Sequence, residues 1–391
     1  MPDFEFWWLL IPALFFAMGW LAARIDIRHV IHESRALPLS YFKGLNFLLN
    51  EQPDKAIEAF NDVVKVKPET VELHFALGSL FRRQGEVDRA IRLHQNLLER
   101  PDLPGENRIT ALYEIGQDYQ KAGLLDRAEE AYIKLEGSPY EHQALDRLLQ
   151  IYEHEKDWLK AIEVTKKIEK LTRVPYFKEI AHYYCELGSA DMLQSRFEPA
   201  QSYLDLALAE YKACVRATLL QGDLAMAQGR YQDAIASWQR IESQNPAFLG
   251  LAGEKLRDAY VKLDQAEQGL RLLSGYQAKY PSPELLGVVF QMTFDTQGAD
   301  AAALLIREEM RRNPTLLGLD RLLEVEMIGA SEVQRRDMEM VKGLVHQHTK
   351  RLGLYRCDNC GFRARQYYWR CPGCGRWESF PPRINETADG Q

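Results

Sequence analysis

The chain has 391 residues, of which 46% are hydrophobic, 10% aromatic and 27% charged, a balance that excludes wholesale disorder. Its formal net charge is -7, yet residues 342–376 hold eight Lys or Arg against a single acid, Asp358. Only the C-terminal segment therefore suits an anionic partner. Six cysteines are present, four of them between 357 and 374. That is no disulfide framework, and it fits a reducing compartment.

In chain order, the first element is FWWLLIPALFFAMGWLAA, an uncharged run of 18 residues from Phe6 to Ala23, at the lower edge of what spans a bilayer as a helix. Trp7, Trp8 and Trp20 lie near its ends, as interfacial aromatics do. Acidic Asp3 and Glu5 precede it and Arg24 and Arg28 follow, the reverse of a cleaved signal peptide. The expectation is an uncleaved transmembrane helix within residues 1–23, with Arg24, Arg28 and Arg35 holding the body in the cytoplasm. Residues 24–40 read as a basic juxtamembrane connector. His29, His32 and Glu33 in HVIHE do not follow a zinc-hydrolase order.

The body then repeats. Gly44, Phe47, Ala56, Phe60 and Pro68 supply a small, large, small, large and stop pattern, and Gly78, Phe81 and Ala90 return it 34 residues later. Further copies are carried by Gly116, Tyr119, Ala128 and Tyr132, by Tyr152 and Ala161, by Gly188, Ala200, Leu204 and Ala207, and by Gly222, Ala234 and Trp238. Weaker copies surround Tyr260 with Leu273 and Phe294 with Ala303. The period and pattern are those of tetratricopeptide repeats. They predict about eight to nine helix pairs over residues 41–349, stacked as an all-α superhelix stabilised by burial between neighbours. Gly85, Gly123, Gly229 and Gly298 are expected at the turns inside pairs. Arg82, Arg83 and His182 read as parts of a solvated inner face, and Cys185 and Cys214 as small buried hydrophobes. The body carries no nucleophile elbow, phosphate loop or zinc-hydrolase motif, so no enzyme is expected.

The tail, residues 350–382, contains Cys357-x-x-Cys360-Gly361 and Cys371-Pro372-x-Cys374-Gly375. Two such knuckles offer four thiolates to one tetrahedral ion, either zinc or a rubredoxin-like iron. With every position taken by protein, the ion has no place for substrate. Tyr355, Phe362, Tyr367, Tyr368, Trp369 and Trp377 flank the ligands and are expected to cover the site and to pack the module against the last helices. Residues 383–391 read as a polar tail.

Taken together, GLNFLL with DKAIEAF, LFRRQGEVDRAIRLHQNLLE, IAHYYCELG, YRCDNCGF and YWRCPGCG make the chain resemble the lipopolysaccharide assembly protein B family of Gram-negative bacteria. The resemblance implies an inner-membrane protein with a cytoplasmic repeat domain and a rubredoxin-like domain holding one iron at Cys357, Cys360, Cys371 and Cys374, with zinc as the alternative. It also implies an adaptor that promotes degradation of the LpxC deacetylase by the membrane protease FtsH and gathers other lipopolysaccharide-pathway proteins at the inner membrane. Nucleic acid is not an expected partner, and a homo-oligomer is compatible with the sequence. Rubredoxin-like electron transfer and a zinc-ribbon regulator that binds nucleic acid are the alternative functions.

Overall fold

The structure, a computed structural model, describes residues 14–18, 20, 39–50, 52–66, 71–351 and 355–381. Most of the expected transmembrane segment and of the connector, the stop residue Pro68 and the tail 383–391 lie outside the described residues. Among the described residues no helix is long and apolar enough to cross a membrane.

The helices are α1 (Leu39–Leu49), α2 (Pro53–Val66), α3 (Val71–Gln84), α4 (Val87–Glu99), α5 (Gly105–Lys121), α6 (Leu125–Ile133), α7 (Glu141–Glu155), α8 (Trp158–Thr172), α9 (Phe177–Leu193) and α10 (Phe197–Glu210). They continue as α11 (Val215–Ala227), α12 (Tyr231–Gln239), the short α13 (Ile241–Gln244), α14 (Leu249–Lys262), α15 (Ala266–Lys279), α16 (Pro283–Gln297), α17 (Ala299–Arg312), α18 (Leu316–Gly329) and α19 (Glu332–Arg351). Two short strands, β1 (Tyr355–Arg356) and β2 (Arg363–Ala364), pair antiparallel at the C-terminal end. The chain divides into two compact units, Met1–Ile151 and Tyr152–Gln391.

Each unit is built on the same contact. The glycine of a first helix meets a large side chain sixteen residues later on the second. In the first unit Gly44 faces Phe60, Gly78 faces His94 and Gly116 faces Tyr132; in the second Gly188 faces Leu204 and Gly222 faces Trp238. A Cβ at Gly222 would fall 2.1 Å from Trp238 Nε1, while that nitrogen donates to the Leu219 carbonyl at 3.1 Å. The ring is anchored and cannot yield, so Gly222→Ala should cost about 1–3 kcal/mol through overpacking. A thermal melt followed by far-ultraviolet circular dichroism reads this directly; an unchanged midpoint would show that the two helices separate freely.

His94 occupies the aromatic slot of its repeat and is fully buried, with Nδ1 2.6 Å from the buried Asp118 carboxylate. Arg82 donates to Asp118 at 2.6 Å and to Glu114 at 2.7 Å. The expectation of a solvated Arg82 is corrected: it neutralises a carboxylate which, buried alone, would be strongly destabilising.

Gly85, Gly123, Gly229 and Gly298 all have positive φ, as their turns require. Other turns place Lys156, Ser195 and Asp264 in the same left-handed region, with φ of 60°, 58° and 57°. These have a Cβ that crowds the carbonyl. Lys156→Gly should therefore stabilise the turn by about 0.5–1 kcal/mol, net of the entropy glycine loses, measurable as an upward shift in the urea midpoint.

Candidate metal centre

The C-terminal module is two copies of one knuckle. Cys357 N donates to the Phe362 carbonyl at 2.8 Å, and Cys371 N donates to that of Arg376 at 2.9 Å. Gly361 N then donates to Cys357 O at 2.9 Å and Gly375 N to Cys371 O at 2.8 Å. Both turns need a left-handed residue, and Gly361 and Gly375 supply φ of 75° and 71°.

The knuckles bring Cys357, Cys360, Cys371 and Cys374 together, their four Sγ atoms all within 4.8 Å of one another. Cys357 and Cys374 sulfurs are 3.8 Å apart, and those of Cys360 and Cys371 3.6 Å. Sulfurs placed roughly 2.3 Å from a tetrahedral ion stand about 3.8 Å from each other, so the donor set fits one such ion. Against the burial that raises it, hydrogen bonding by Ser379 and the amides of Cys360 and Asn359 brings the Cys357 thiol down to about 6. Cys374 is lowered too, by the Arg376 amide and Asn359, whereas Cys360 and Cys371 are raised, so Cys357 and Cys374 are the pair that favours thiolate, the form that binds metal. Cys357 and Cys371 are buried, whereas Cys360 and Cys374 reach the surface.

Among the described residues the contacts of the module run from Glu153 of α7 to Glu284 of α16, further back along the chain than the last helices that the sequence suggested. The module lies on the face made by the first helices of successive pairs in the second unit. Trp377, 8% exposed, stacks on His182 of α9 with centroids 4.7 Å apart and planes 7° from parallel. Tyr183 and Trp158 meet its ring edge-on at 6.0 and 6.5 Å, and the guanidiniums of Arg216 and Arg370 lie over it, each 5.6 Å from the centroid. Trp369 stacks on Phe248 at 5.4 Å. Three polar side chains of the module fix the orientation. Arg370 donates to Glu153 at 2.6 Å, Tyr355 Oη donates to Glu284 at 2.9 Å, and Glu378 lies 3.2 Å from His182 Nε2 and 3.9 Å from Lys178.

His182 is consequently not solvated but buried beneath the module. Burial pushes its imidazole below the ordinary histidine range, Glu378 pulling it up, Arg216 down and Glu179 up to lesser degrees. Released, the imidazole takes up a proton below about pH 6.5, whereas docked it resists doing so, so the attachment is undiminished above about pH 6.5 and weakens as pH falls below it. Urea titrations between pH 7.5 and pH 5.5, followed by tryptophan fluorescence, should show the module weakening on acidification; a stability rising toward low pH would reverse the assignment.

His182, Arg216 and Glu284 occupy one repeat position, with 34 residues from the first to the second and 68 from the second to the third. The same 34-residue period that located the repeats could have aligned these polar side chains as one surface. The partner that covers them lies too far along the chain for any local pattern to reveal. Cys185 and Cys214 are fully buried with sulfurs 4.0 Å apart, as expected of apolar fillers.

Comparison with known proteins agrees with this architecture. Residues 355–382 match the family described as the rubredoxin metal binding domain, and residues 43–103 and 185–247 match the tetratricopeptide repeat. The lipopolysaccharide assembly protein B of Escherichia coli strain K12 is 34% identical over 381 residues, covering 97% of this chain and 98% of that one. The chain belongs to the lipopolysaccharide assembly protein B family. The Haemophilus influenzae member is 31% identical over 393 residues, with 98% of this chain and 99% of the other covered. In this member of the lipopolysaccharide assembly protein B family, the all-helical repeat fold carries a small ribbon whose four cysteines could hold either iron or zinc. The name of both relatives is that of an assembly protein.

Proposed function

We propose that the chain is a non-catalytic adaptor of lipopolysaccharide synthesis, held at the inner membrane by its N-terminal apolar segment, with its body in the cytoplasm. In this reading it presents the LpxC deacetylase to the membrane protease FtsH and gathers other lipopolysaccharide-pathway proteins. The observation that carries it is the closed site. Four cysteine sulfurs would fill a tetrahedral ion's coordination and leave it no open position for substrate. Such an ion shapes a protein surface instead of performing hydrolysis. Confinement to a membrane raises the effective concentration of partners, so moderate contacts suffice.

Crosslinking in membranes, followed by identification of the bound proteins, tests the reading. The expected result is recovery of FtsH and LpxC with the full chain and a longer LpxC half-life in its absence. Recovery of neither, with LpxC turnover unchanged, would remove the adaptor role. The exposed sulfurs of Cys360 and Cys374 favour electron transfer as the second reading. Redox titration of the iron-loaded protein decides it, because an ion inert across the physiological range carries no current.

A further inference from the structure

The two knuckles are related by a shift of 14 residues: Cys357 with Cys371, Cys360 with Cys374, Gly361 with Gly375, and also Arg356 with Arg370. The twin arginines make the same local contact. Arg356 Nη2 comes within 3.8 Å of the Cβ position of Gly361, and Arg370 Nη2 within 3.6 Å of that of Gly375. Each also stands opposite a residue across its own ladder, Arg356 opposite Arg363 and Arg370 opposite Trp377. The second knuckle turns this pair inward, where Arg370 binds the Glu153 carboxylate and Trp377 is buried. The first turns its pair outward, and Arg356 and Arg363 are both exposed.

The opposite face of the same hairpin carries Tyr355 and Ala364, the former buried and tied to Glu284. The hairpin is thus held with its basic face outward. Arg365 and Arg376 are exposed beside it, the latter donating to Asn359 at 2.7 Å. At the tip Phe362 is 41% exposed, and its Cβ lies 3.2 Å from the Cβ position of Gly373 on the other knuckle. The result is a convex apolar tip ringed by guanidiniums, which form paired hydrogen bonds to phosphate.

We infer that this outward face of the ribbon, Arg356, Arg363, Arg365 and Arg376 around Phe362, docks on the phosphate headgroups of an anionic lipid surface. A protruding tip fits a flat, deformable layer, with Phe362 entering the interface and the arginines bearing on phosphates, whereas an acidic peptide is better held by a groove. The inference deepens the membrane-adaptor reading and rests on the inner-membrane location proposed there. It adds a second attachment, far along the chain from the N-terminal segment, which fixes which way the repeats face.

Hydrogen exchange on the full chain tests it, using vesicles of phosphatidylcholine alone or with phosphatidylglycerol added. The anionic vesicles should slow exchange across residues 356–366, and the neutral ones should not. Each basic side chain near an anionic leaflet contributes about fivefold in partitioning. Lipid titrations should therefore show protection needing on the order of 100-fold more anionic lipid in the Arg356→Gln/Arg363→Gln/Arg365→Gln chain. Unchanged metal content and α9 protection would show that the ribbon of this variant stays folded. Should it lose metal, Arg365→Glu, which lies outside both strands, is expected to shift the titration by at least about fivefold on its own. Equal protection by neutral vesicles, no shift in the folded variant, or preferential protection by polyglutamate or single-stranded RNA would overturn the inference. Capture of FtsH and LpxC is read separately, so the two proposals fail independently.

Discussion

Cys371→Ser should unfold the ribbon while leaving the repeats helical. Cys371 is one of four sulfurs within 4.8 Å, and it is buried at the inner side of the site. Among its described residues the module offers little else to fold it: two strands of two residues each, one isolated bridge and a small core of Tyr355, Cys357, Cys371 and Phe380. An ion in such a module supplies on the order of 10 kcal/mol of folding free energy. Removing a ligand forfeits most of it. Hydrogen exchange should show loss of protection across 355–381, and the faces of His182 and Phe248 that Trp377 and Trp369 cover should open. Far-ultraviolet circular dichroism should change little, since residues 355–381 form no helix. A ribbon that stays protected in the metal-free variant would show that its fold is independent of the ion.

Trp377→Ala separates seating from folding. The ring stacks on His182, takes edge contacts from Tyr183 and Trp158 and lies beneath Arg216 and Arg370. Its removal should cost about 3–5 kcal/mol of the ribbon's attachment, enough to shift the population toward an undocked state. Metal content should persist, because the four cysteines are untouched. Protection should fall over α9 as well as over the ribbon. Full retention of α9 protection would mean that Trp369, Arg370 and Tyr355 suffice without it.

These two variants probe different parts of what the amino-acid sequence discloses. The repeats were legible because Gly44, Gly78, Gly116, Gly188 and Gly222 mark one steric need, a helix approach too close for a Cβ, and that need recurs at a fixed interval. The metal centre was legible because Cys-x-x-Cys-Gly is a local turn whose geometry is set within five residues. Where the ribbon sits was not. Glu153 and Arg370 lie 217 residues apart, and neither belongs to a motif. His182 was misjudged for the same reason: its position in the repeat indicates an exposed inner face, and only the ribbon buries it. The left-handed turns at Lys156, Ser195 and Asp264 carry no glycine, so no residue type marks them in the sequence.

X-ray absorption on the purified full chain, combined with metal analysis, shows whether the four cysteines share one ion. One ion per chain is expected, with four sulfur neighbours at roughly 2.3 Å, and the absorption edge identifies it as iron or zinc. Fewer than four sulfurs, nitrogen or oxygen in the first coordination sphere, or two disulfides in place of an ion would contradict that expectation.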